Sequence, residues 1–158
     1  PSPMLRSLVG SEMCIRDSYV SEHKSGENMC SKGGYILKET SENAEVSILA
    51  SGSEVEIALE AQEKLKAINI NSKVISIPCY DIFQNQTESY KDEMFGKNTF
   101  KISIEASTTS GWKSIVGKDG VSLGLTTFGR SAPYKDIYKL FNLTSDEIVK
   151  IVKSKVGK

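Results

Sequence analysis

The sequence predicts an α/β domain, a three-layer sandwich around a mostly parallel five-stranded sheet that includes one antiparallel strand. Two observations carry this. Short β-branched runs alternate with stretches whose apolar residues recur at helical spacing, and strand, helix, strand in sequence requires parallel crossovers. The first two apolar runs, by contrast, are separated by only a short turn-like segment, which suggests a hairpin and so one antiparallel strand.

Gly33-Gly34 introduces the first strand, Tyr35 to Glu39, and after Thr40 to Ala44 a second runs from Val46 to Ala50. The period then changes. Ser53 can cap a helix beginning at Glu54, with Glu56 completing a capping box, and Val55, Ala58, Leu59, Ala61, Leu65 and Ile68 form its apolar stripe. Lys73 to Ile77 reads as the next strand and stops at Pro78, which cannot donate to a continuing ladder. A weaker helical segment from Thr87 to Phe95 leads to a strand from Phe100 to Ala106. A short helix around Trp112 to Val116 precedes the last strand, Val121 to Leu125. After Pro133 the pattern is helical to Phe141, and a second capping box, Thr144 to Glu147, opens a helix reaching Val156.

At 158 residues the chain suits one domain, large enough to bury roughly 68 to 70% of its unfolded surface. Its 20 basic and 20 acidic side chains are interspersed, which excludes the basic stripe of a nucleic-acid binder. The longest apolar runs are far shorter than the ~20 residues that cross a bilayer, so no membrane partner is expected. Cys14, Cys30 and Cys79 are far apart and odd in number, which argues against a disulfide framework or zinc site and fits a reducing cytoplasm.

Residues 1–18 show neither helical nor strand periodicity, and their latter part resembles translated adaptor sequence. They read as a non-native leader; the rival reading is a natural tail docking through Leu5, Leu8 and Val9. Residues 19–32 have the polar composition of an interdomain connector, and residues 33–158 form the domain.

Ser51-Gly52-Ser53, between a strand and a helix start, is the most suggestive candidate for an anion site, because unpaired amides and the helix dipole favour negative charge there. Against it stand a single glycine, no following Walker lysine, and Glu54 and Glu56, which would repel a phosphate; a structural turn is favoured. Arg130, near a helix entrance, could grip a carboxylate or phosphate, though pairing with an acid or solvation is the commoner role. Trp112 is a candidate interface anchor or core residue. His23 is the only histidine and lies in the connector, a surface position rather than a catalytic one. Glu54, Glu56, Glu60 and Glu63 are read as a solvated helix face. Tyr80, Phe83 and Phe128 follow strand ends, where open α/β sheets place ligands.

Gly33-Gly34-Tyr35, Ala50-Ser51-Gly52-Ser53-Glu54-Val55, Val74-Ile75-Ser76-Ile77-Pro78, Ser110-Gly111-Trp112 and Thr127-Phe128-Gly129 with Ser131-Ala132-Pro133 together resemble the carboxy-terminal domain of transketolases. The resemblance runs from about Tyr19 to the end. It implies a parent enzyme that uses thiamine diphosphate and a divalent metal (Mg or Ca) to move a two-carbon ketol unit from a ketose phosphate to an aldose phosphate. The implied partners are the remaining transketolase domains and a second subunit in a homodimer. In that family the catalytic, cofactor and metal residues belong to the other domains, so none is carried over here, and the chain alone is expected to be inactive. The leader has no family counterpart, and Arg130 stands at a variable position within its motif. Alternatives are a free-standing anion- or metabolite-binding module, or the corresponding domain of an oxo-acid dehydrogenase E1 subunit or of deoxyxylulose-phosphate synthase.

Overall fold

In a computed structural model of the chain, the described residues are 28–96, 98–127 and 133–157. The leader (1–18), most of the connector, His23, Phe128 and Arg130 lie outside them. The end of the connector, read from sequence as irregular, forms a short 3-10 turn, Met29–Lys32, whose first amides are met by the Asn28 side chain bonding Cys30 N at 3.1 Å.

Five strands, β1 (Tyr35–Glu39), β2 (Val46–Ala50), β3 (Ser72–Ser76), β4 (Phe100–Thr108) and β5 (Val121–Leu125), form one sheet in the order β1-β3-β2-β4-β5. The β1–β3 pair is antiparallel and the other pairings are parallel. Every residue of β2 and β3 is buried, as expected of strands covered on both faces.

The antiparallel strand exists, but not as a hairpin with β2. Both edges of β2 are occupied by parallel neighbours, β3 and β4, so β1 pairs instead with the outer edge of β3, Tyr35 opposite Ser76 and Glu39 opposite Lys73. The connection fixes this step. Thr40 exchanges hydrogen bonds with Ser72, its amide reaching the Ser72 carbonyl at 3.1 Å and its hydroxyl accepting from Ser72 N at 2.9 Å. Glu45 N then bonds Asn71 O at 2.8 Å as the chain passes beneath β3 into β2. Covering β3 in this way removes an exposed edge from a fully buried strand.

The helices are α1 (Glu54–Ala67), α2 (Tyr80–Gln84), α3 (Glu88–Phe95), α4 (Thr109–Val116), α5 (Tyr134–Leu140) and α6 (Ser145–Val156). Val55, Ala58, Ala61 and Leu65 of α1 and Ile148 and Val152 of α6 pack with Val46, Ile48, Val74, Ile102 and Ile104 on one face. Tyr138 of α5 joins the margin of this core. On the other face Phe83, Phe95, Trp112 and Ile115, from α2, α3 and α4, cover Leu49 and Ile75. The three-layer expectation therefore holds, with the sheet between two helical layers. Gly33 is required at the entry to β1: its φ is 82°, and a Cβ there would lie 2.4 Å from Phe83 N.

Thr144 caps α6 as expected, accepting from Glu147 N at 3.3 Å. The cap expected of Ser53 is not formed. Ser53 already has helical backbone angles, and its hydroxyl bonds the neighbouring Glu54 carboxyl at 3.2 Å rather than an amide.

Candidate functional site

The chain leaves β2 on one side towards β3, while β4 lies on β2's other side, so the strand order reverses between β2 and β4. In open α/β sheets the crevice at the carboxyl ends of such strands is the usual place for polar groups to converge. Register decides which residues meet there. Ala50 is aligned with Ile104, and one step further along both strands Ser51 comes beside Glu105. The Ser51 hydroxyl donates to Glu105 Oε2 at 2.5 Å.

The turn after β2 then brings in a second carboxyl group. Gly52 adopts a φ of 50°, and Glu54 N bonds Ser51 O at 3.1 Å to start α1. Glu54 is only 2% exposed, which corrects its assignment to a solvated face. Glu56, Glu60 and Glu63 are exposed, and Glu63 pairs with Lys38 at 2.7 Å. The difference is helical geometry: Glu54 stands four residues before Ala58 at the head of the buried stripe that continues through Ala61, Gln62 and Leu65. Its partners are the hydroxyls of Ser53 and Tyr138, each donating to the carboxyl group.

The surroundings alter two of these groups. Burial pushes the Glu105 carboxyl up to about 7, aided by the negative charge of Glu54 and opposed by the hydrogen bonds from Ser51. Burial, with the bond to Glu54, pushes the Tyr138 phenol up to about 12. The crevice is therefore acidic and contains a carboxyl group poised to exchange a proton near neutrality. Sequence reasoning missed Glu105 and Tyr138. The available signal for Glu105 was a carboxyl group ending the apolar alternation Ile102-Ser103-Ile104.

Of the residues singled out from sequence, Ser51, Gly52 and Ser53 border this crevice. Trp112 lies elsewhere: it is 7% exposed within the α2, α3 and α4 layer, its ring edge-on to Tyr80 at 6.0 Å. Tyr80 donates to Gly111 O at 2.8 Å, and Phe83 is fully buried, so neither forms an open ligand platform. Arg130 and Phe128 lie outside the described residues. A cleft of about 390 Å³ opens on the Trp112 side, lined by residues including Lys91, Asp92, Phe95, Lys101 and Ile115; its mixed charges select no ligand class. Among the described residues no group of three or more His, Cys, Asp or Glu is placed to hold a metal ion. No helix among them is long and apolar enough to cross a membrane.

A mostly parallel open sheet, one antiparallel edge strand and an acidic crevice at the strand reversal define a doubly wound α/β domain. The chain belongs to the transketolase-like TK C-terminal domain family, whose model matches residues 33–144. It is 42% identical over 124 residues to a transketolase of Sinorhizobium medicae, covering 78% of this chain and 18% of that protein. It is 36% identical over 141 residues to transketolase 1 of Vibrio vulnificus, covering 87% of this chain and 21% of that one. The crystal structure of transketolase from Campylobacter jejuni superposes with a TM-score of 0.72 at 27% identity, over 84% of this chain and 20% of that chain. The chain thus spans about a fifth of the length of the curated relatives it matches.

Proposed function

We propose that this chain serves as the carboxy-terminal, dimer-supporting domain of a cytoplasmic transketolase, in which other domains and a second subunit carry out ketol transfer between sugar phosphates. The observation that carries this reading is the family match across residues 33–144, in a chain covering about a fifth of its relatives. Transketolases use thiamine diphosphate and a divalent metal, and the residues of the crevice do not fit that pair. Glu54 and Glu56 occupy the first turn of α1, where a diphosphate would otherwise gain from the helix dipole. The Ser51 and Ser53 hydroxyls are already directed at carboxyl groups. The same two facts argue against the free-standing anion-binding module.

The chain alone is accordingly expected neither to bind thiamine diphosphate nor to transfer ketol groups. Calorimetry with thiamine diphosphate and magnesium, then a coupled assay with xylulose 5-phosphate and ribose 5-phosphate, tests both halves. Stoichiometric binding, or turnover that survives removal of host transketolase, would place the active site within this chain and defeat the proposal.

A further inference from the structure

We propose that the outer edge of β5 is a docking surface for a second copy of this chain, the two β5 strands pairing antiparallel about a two-fold axis at Leu123. The case begins with the two edges of the sheet, β1 and β5. An edge strand offers unpaired N–H and C=O groups to any other strand, and proteins blunt it with charges, bulges, proline or a covering element.

Strand β1 carries several of these defences. It ends in Lys38 and Glu39, and its pairing with β3 is broken by an irregular step between Ile36 and Lys38. Helix α1 reaches over it, Gln62 Nε2 donating to Lys38 O at 3.1 Å and Glu63 pairing with Lys38 at 2.7 Å. Strand β5 has none of them. Val121-Ser122-Leu123-Gly124-Leu125 contains no charge and no proline, and the irregular step in its pairing lies on the β4 side, between Ile104 and Thr108. Among the described residues its backbone hydrogen bonds run only to β4. All five residues are half-buried, whereas every residue of β2 and β3 is buried.

The pattern of β5 selects a copy of itself as the occupant. Val121, Leu123 and Leu125 share the face at the margin of the larger core, and Ser122 and Gly124 point to the other. Antiparallel pairing about Leu123 sets Val121 opposite Leu125 of the second copy, Ser122 opposite its Gly124, and Leu123 opposite its own counterpart. Apolar side chains then meet apolar ones on one face and small ones meet small ones on the other, with no like charges opposed. The strand is thus self-complementary, as a two-fold interface requires. With 20 basic and 20 acidic side chains, two copies are not held apart by net charge. A single pair of short strands buries less than the roughly 1,200 Å² of a stable interface, so the association is weak and depends on concentration. It does not depend on the reading of the chain as a transketolase domain.

The test uses the full chain. Sedimentation from about 10 µM to about 1 mM, the span suited to a contact of this size, should show the mean mass rising from one chain towards two. Over the same span amide-exchange protection of residues 121–125 should rise severalfold while that of α1 stays constant. In a mixture of isotope-labelled and unlabelled protein, filtered nuclear Overhauser spectra should connect Val121 of one copy with Leu125 of the other. Leu123→Lys sets two cations face to face at the axis and should return the mass to one chain. If that variant fails to fold, the three wild-type measurements still decide. A one-chain mass throughout, or β5 protection independent of concentration, as cover from within the chain would give, would overturn the proposal. So would association that leaves no contact between copies at β5 or that survives Leu123→Lys.

Discussion

The two ends of α1 are tied to the carboxy-terminal helices by similar chemistry in opposite surroundings. At its last turn Lys64 meets Asp146 at 2.6 Å, Ser145 at 2.8 Å and Glu60 at 2.9 Å, with the charged groups in contact with water. Asp146 and then Glu60 hold the Lys64 ammonium above its ordinary value, a preference that solvent screens. At its first turn Glu54, itself almost wholly out of water, accepts from the half-buried Tyr138 and from the exposed Ser53. Short contacts therefore do not rank the two ends. Desolvation does, because an acceptor removed from a buried network strands its donors, whereas water replaces a lost surface partner.

The sharpest way to break this comparison is to remove the acceptor at the buried end. Glu54→Ala should destabilise the chain by about 1 to 3 kcal/mol, since the half-buried Tyr138 hydroxyl loses its partner, whereas water can serve the exposed Ser53. Urea unfolding would measure it, and Glu54→Gln, which keeps an acceptor and deletes a charge beside Glu105, should lose much less. At the exposed end Lys64→Ala should cost only about 0.5 kcal/mol or less, and that difference should shrink further in high salt. Equal losses at the two ends would remove the distinction between them.

Much of the fold was legible because it rests on local period and capping. The five apolar runs match the five strands within a few residues, and the Thr144 cap forms at the expected place. The pairing of β1 was not legible. Chain proximity suggested β2, but both edges of β2 were needed for parallel neighbours, a competition visible only when the whole sheet is assembled. Ser53 illustrates a similar limit: the capping pattern was present, yet a buried carboxyl group next to it captured the hydroxyl. The crevice was half legible. Ser51, Gly52 and Ser53 lie side by side in sequence, but Glu105 reaches Ser51 across 54 residues through strand register, and Tyr138 reaches Glu54 across 84. Glu54 could have been recovered from sequence by extending the helical stripe back from Ala58, and Glu105 carried only the signal of a carboxyl group ending an apolar alternation.

The central claim about the crevice is that its Glu105 carboxyl group exchanges a proton near neutrality, and the pH dependence of stability tests it most directly. Glu105 sits at about 7 in the folded chain against an ordinary 4.5. Between those values the folded state holds a proton that the unfolded state releases, so its contribution is full below about 4.5, falls as pH rises towards about 7, and is gone above. Unfolding free energies of the wild type and Glu105→Gln should therefore diverge with pH, the wild type losing about 1 to 3 kcal/mol relative to the variant between pH 5 and pH 8. A difference between them that is constant with pH, or that favours the wild type as pH rises, would contradict the account.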